Sequence, residues 1–173
     1  MIKRILNIVM FALILVAVEL SLNNIMSPDI TSTLDLKYGE YGDSILPTMA
    51  ALLPFTVLIE ELGLRALPRL FCNGLLKGWP SLRELLRDAT NPVEERKSVF
   101  VFMIVLFGVI GGVTHLSNIV DASSIDLLKY FIIHFIGGAY LGFVYMSYGF
   151  IQIYAVHILY DSIVLGIIVT LIA

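Results

Sequence analysis

Five apolar stretches, at about 5–26, 44–72, 98–120, 126–146 and 150–172, leave this chain one class of fold. A bilayer core takes roughly 20 apolar residues per helix, and a run above about 18 is a candidate span. Together the stretches take up most of the 173 residues and leave no room for a soluble domain. Composition agrees, with 58% of residues hydrophobic and 14% charged, against about half and about a quarter in soluble domains. The sequence predicts an all-α polytopic membrane bundle of about five spans.

Lys3 and Arg4 precede the first run, as in a signal peptide, but the run is long and no small-residue cleavage site follows it. It is expected to be a retained first span. The single cysteine, Cys72, offers no internal disulfide and no metal-binding pair. Seven of the eleven Lys and Arg residues, Lys3, Arg4, Lys77, Arg83, Arg87, Arg96 and Lys97, lie at the N-terminus or between the second and third stretches. The positive-inside rule then puts the N-terminus and the 73–97 loop in the cytoplasm and the C-terminus outside, in a plasma membrane. Within that loop, "PSLRELLRDATNP" opens on a Ser81/Glu84 capping box and carries Leu82, Leu85 and Leu86 on one face. A short helix lying on the inner leaflet fits it. Gly108/Gly112 and Gly138/Gly142 are GxxxG pairs that let helices pack closely. No nucleic-acid partner is expected; the lipid bilayer is.

Charge inside the spans carries the functional information. A charged side chain at mid-bilayer costs at least ~2.5–3.5 kcal/mol on insertion scales, so such groups face the bundle interior and are functional by default. They are few here: Glu19; Glu60, Glu61 and Arg65 in "VLIEELGLRALP"; His115; His134; and His157 with Asp161. Glu61 and Arg65 are i,i+4 with the acid first, the favourable order for a helical ion pair. Glu60 is then about 100° around the helix, with no partner in its own segment. A carboxylate so placed is able to take a proton from water. His157 and Asp161 are also i,i+4 and present one polar patch from the last span. His115 sits in "GVIGGVTHLSN", where glycines permit close approach. By residue count His115 lies roughly 27 Å along its helix from Lys97, while Glu60 is expected nearer mid-bilayer.

"EELGLR" matches EExxxR, with a histidine at the end of the next span and "HILYD", an HxxxD, in the last. In this the chain resembles the CAAX-protease and bacteriocin-processing (abortive-infection) family of intramembrane proteases, whose motifs are EExxxR, FxxxH and HxxxN. The resemblance covers about Leu46 to Ala173. It implies a protease-like core over 44–173 built from the last four spans, with 1–43 an extra span and outer loop. It further implies an endopeptidase in which Glu60 activates water with help from His115. Glu61 and Arg65 would hold that helix, and His157 with the residue at Asp161 would stabilise the oxyanion. Two positions depart from the pattern: Gly111 stands where FxxxH has phenylalanine, and Asp161 where HxxxN has asparagine. An aspartate there would act protonated, or by orienting His157.

The family chemistry needs no cofactor and implies a peptide or protein substrate, with lipidated and membrane-bound peptides among the options. Two alternatives stand beside it. One is a zinc protease with His115, His157 and Asp161 as ligands, although the sequence has no HExxH. The other is a non-catalytic immunity or partner-binding protein of the same family. His134 is expected to be a helix-facing or core histidine, and Glu19, at the far end of its span, to lie near the headgroups without a role, the alternative being a buried acid that receives a partner from the core.

Overall fold

The computed structural model describes residues 2–28, 31–78, 81 and 97–172. The chain forms α1 (Ile2–Met26), α2 (Thr33–Glu61), one π-helical turn (Leu62–Ala66), α3 (Leu67–Lys77), α4 (Lys97–Leu116), α5 (Ser124–Tyr148) and α6 (Phe150–Ile172). The one extended element among the described residues is a two-residue antiparallel pairing, Thr31 with Val120 and Ser32 with Ile119. It ties the α1–α2 connection to the α4–α5 connection.

Among the described residues, four helices are long and apolar enough to cross a membrane: Lys3–Met26, Lys97–Leu116, Ser124–Tyr148 and Phe150–Ile167. The protein is therefore an all-α, multi-pass membrane bundle. The stretch expected at 44–72 is helical but is not one of these four. Glu60, Glu61, Arg65 and Arg69 interrupt its apolar run, and Pro47 and Pro54 lie inside α2. The helix also starts at Thr33, well before 44. Gly39 and Gly42 with several charges made 33–43 read as a loop, yet Leu34, Tyr38, Tyr41 and Ile45 keep helical spacing through it. The surface helix expected from Ser81 lies, beyond that residue, outside the described residues.

The bundle is apolar outside and polar within. Along the second helical segment Leu67, Phe71 and Leu75 are exposed, while Glu61, Arg65, Arg69 and Asn73 are buried at intervals of four. Without water outside, apolar burial no longer drives helices together, and close packing and interior polar contacts do. The apolar core joins Phe11, Ala12 and Leu15 of α1 to Met103 and Phe107 of α4, Leu141, Val144 and Tyr145 of α5, and Ile153 and Val156 of α6. The first helix thus enters the core alongside the last three.

Helices α4 and α5 are antiparallel and meet through glycines. A Cβ on Gly111 would lie 3.1 Å from the Gly138 Cα and from the His134 carbonyl, and one on Gly138 would lie 2.8 Å from the Phe107 carbonyl. These neighbours are backbone, so neither clash is relieved by a rotamer change. A second pair of contacts is to rings, with Gly112 against Phe131 and Gly142 against Phe107. Helix α5 opens at Ser123, whose Oγ accepts from the Asp126 N–H at 3.2 Å as an N-cap. It closes at Gly149, whose φ of 86° suits glycine alone at the turn into α6.

Gly138→Ala is expected to lower thermal stability in detergent by about 1–3 kcal/mol through overpacking against backbone. Gly166→Ala, where a Cβ meets nothing within 4 Å, is the matched control and is expected to be neutral or slightly stabilising. Equal melting behaviour of the two variants would show that the α4–α5 approach is looser than described.

Candidate active site

Glu60 and Glu61 end α2, and the helix widens at once into the π turn. The Leu67 N–H donates to the Leu62 carbonyl, five residues back. Pro68 gives the reason: in a regular helix its ring would collide with the carbonyl four residues earlier, and it has no N–H to donate. A wider turn removes the collision, and such turns recur at functional sites.

Glu61 is the hub. It is fully buried, and its Oε1 lies 2.6 Å from Nη1 of Arg65 and 2.6 Å from Nδ1 of His157 on α6. A carboxylate paired with a guanidinium only accepts, so Nδ1 of His157 carries the proton and donates. Nε2 is thereby turned towards the other acids, 3.7 Å from Oε2 of Glu60 and 3.6 Å from Oδ2 of Asp161. Both gaps exceed a direct hydrogen bond and lie within ion-pair distance. The Glu60 side chain is 44% exposed against 0% for Glu61. Two adjacent glutamates therefore occupy opposite environments.

The structure brings together Glu60, Glu61, Arg65, His157 and Asp161. The expected Glu61–Arg65 ion pair is present. Of the two roles offered for Asp161, orienting His157 through Nδ1 falls to Glu61. His115 ends an unbroken α4 and acts electrostatically on the same cluster, Glu60, His157 and Arg65 included.

His115 points its ring at His134. The imidazoles stack with centroids 4.1 Å apart and planes 11° apart, and Tyr130 closes on His134 at 4.2 Å. His134 is thus a helix-facing histidine, packed between His115 and Tyr130. The zinc trio His115, His157 and Asp161 is not assembled, and no three His, Cys, Asp or Glu side chains among the described residues are grouped to hold a metal. Gly111, where the family pattern has phenylalanine, is the point of closest approach to Gly138. A phenylalanine there would need the space that the α5 backbone occupies.

Tyr160 is the residue that sequence reasoning missed, and it is the partner that Glu19 takes from the core. The Tyr160 hydroxyl donates to Oε2 of Glu19, and the Glu19 carboxylate lies where a Cβ on Gly137 would project. Glu19 also acts electrostatically on Asp161 and His157. A signal was present, because a carboxylate inside an apolar run demands a partner. Tyr160 stands beside Asp161 in the polar patch of the last span.

An all-helical, multi-pass membrane bundle with an interior carboxylate–histidine–guanidinium cluster is the class that this fold and site define. Comparison with family models, with curated proteins and with solved structures gave no match.

Removing one partner of a buried pair leaves an uncompensated charge. Glu61→Gln is therefore expected to cost about 3–5 kcal/mol of stability, whereas Glu60→Gln, at a half-exposed site, is expected to stay within about 0.5 kcal/mol. Chemical or thermal unfolding of both variants in detergent checks this. A Glu61→Gln protein as stable as wild type would remove Glu61 as the structural hub.

Proposed function

We propose that the protein is an intramembrane endopeptidase with a glutamate-activated water, as its resemblance to the CAAX-type proteases suggests. The observation that carries the proposal is the pair of unlike glutamates. Glu61 is consumed in fixing Arg65 and His157, which leaves the half-exposed Glu60 ionisable, accessible and beside an imidazole.

In this reading Glu60 takes a proton from a water, and the water oxygen attacks the peptide carbonyl carbon. The carbonyl electron pair moves to oxygen, and the resulting oxyanion needs a donor. His157 is able to supply one from Nε2 once it carries a second proton, its Nδ1–H being held by Glu61. Collapse of the intermediate breaks the C–N bond, and the proton held by Glu60 passes to the leaving amine. Arg65 and Glu61 act as positioning residues, and the His115–His134 stack lines the approach to Glu60. Metal dependence and partner binding without catalysis are separated from this reading by experiment.

Cleavage of a fluorogenic peptide panel by the purified protein, with and without EDTA, is the first test. Glu60→Gln is expected to lower turnover by about 10²–10⁴-fold, the range of general-base catalysis, with wild type indifferent to EDTA. Loss on chelation would turn the assignment to a metal protease. A cellular phenotype that survives Glu60→Gln would make the chain a non-catalytic partner-binding protein.

Asp161 gives a second test. An ionised carboxylate repels a developing oxyanion, whereas an amide donates to it. Asp161→Asn is therefore expected to keep or raise kcat with KM little changed. A loss as large as that of Glu60→Gln would make Asp161 an obligatory acid instead.

A further inference from the structure

Glu19 is a half-buried carboxylate on α1, within an apolar run, and the hydrolytic mechanism makes no use of it. A carboxylate in such a place is functional by default. Its Oε2 accepts from the Tyr160 hydroxyl of α6. Its other oxygen, Oε1, rests against Gly137 of α5, where a Cβ would collide with it. Glycine at this position makes the room that the carboxylate occupies. A second bond, from the Tyr140 hydroxyl of α5 to the Phe11 carbonyl at 3.0 Å, holds α1 in register. Glu19 thus stands on a helix fixed to both α5 and α6.

Tyr160 carries this contact into the site. It lies one turn beyond His157 on α6, and the two rings pack with centroids 6.3 Å apart and planes at 46°, inside the range of aromatic pairs. Glu61 holds Nδ1 of His157 at 2.6 Å. One hydrogen bond fixes a point, however, and leaves the ring free to rock about it. The direction of Nε2, 3.7 Å from Glu60 and 3.6 Å from Asp161, depends on the plane of the ring.

We propose that Glu19 is a positioning residue for His157. Acting through Tyr160, it braces the imidazole from α1 while Glu61 holds it from α2, so that Nε2 stays directed between Glu60 and Asp161. Side chains that touch a reacting group are commonly kept in place by the hydrogen bonds and packing of those behind them. The first helix, which the motif resemblance leaves outside the core, is then a working part of the site. The consequence for hydrolysis rests on the peptidase reading; the bracing itself does not.

Side-chain NMR of the three histidines, on the isotope-labelled full chain in detergent, is set beside peptide turnover for the same variants. The His157 signals are identified by their loss in His157→Gln. Tyr160→Phe keeps the ring and removes the bond, and Glu19→Leu removes the acceptor. Gly137→Ala alters neither residue, yet its methyl displaces the flexible end of Glu19, so the fold is kept while the bond is disturbed. All three are expected to shift or broaden the His157 signals and to lower kcat by about 10–100-fold with KM unchanged, the scale of a small misplacement. Glu19→Gln keeps an acceptor for the hydroxyl and is expected to restore both readouts to near wild type. Glu19→Leu combined with Tyr160→Phe is expected to lose no more than the worse single variant, because both act through one bond. His157 signals that stay as in wild type in all three variants would overturn the proposal. So would equal effects of Glu19→Gln and Glu19→Leu, which would make the charge and not the bond the active feature. A wild type that cleaves no peptide, with His157 signals that still move in the variants, keeps the brace and removes the peptidase reading alone.

Discussion

One carboxylate oxygen organises the interior of this protein. Oε1 of Glu61 accepts from Arg65 on its own segment and from His157 on α6, each at 2.6 Å, in a volume closed to solvent. Because the two donors come from different helices, the oxygen fixes their relative position as well as their charge. It sets the His157 tautomer, and with it the direction of Nε2. Without that bond the histidine would be free to turn, and Glu60 and Asp161 would face an undefined partner. Nothing else in the site is anchored from both sides in this way.

The long apolar helices were legible because periodicity and length are properties of single segments. The α1, α4, α5 and α6 runs fall within a few residues of their expected limits. So was the Glu61–Arg65 pair, which depends only on spacing along one helix. What the sequence withheld were relations between helices. Nothing in the spacing of Glu19 and Tyr160, or of His115 and His134, announces that they meet. Gly111 shows the converse case. As a departure from a motif it looked like a deficit, and in the fold it is the residue that lets the α4 and α5 backbones touch. Helix α2 was misjudged at its start because glycines and charges outweighed a spacing signal that did hold.

Helices α4 and α5 form a glycine-lined unit, α1 and α6 pack against it, and the second segment brings its acids across to α6. Polarity is inverted from that of a soluble domain along this second segment. The exposed stripe of α3 is leucine and phenylalanine, and the inward stripe that runs from Glu61 through the π turn into α3 is glutamate, arginine and asparagine. Such an arrangement is stable only if each inward charge finds a counterpart, and the Glu61 and Glu19 contacts meet that condition for the acids.

The π turn gives this segment a sensitivity in its chain length. Each helical residue advances the direction of the next side chain by about 100°. The extra residue taken up between Leu62 and Ala66 is what lets the face bearing Glu61 continue into the face bearing Arg69. Removing one residue from the turn would close it to a regular helix and leave both faces aligned, since seven residues at about 100° come close to two full turns. An inserted residue has no such slack: it would rotate α3 by about that angle, so that arginine would meet acyl chains and a lipid-facing leucine row would enter the polar interior. This stretch therefore tolerates a single-codon deletion better than a single-codon insertion.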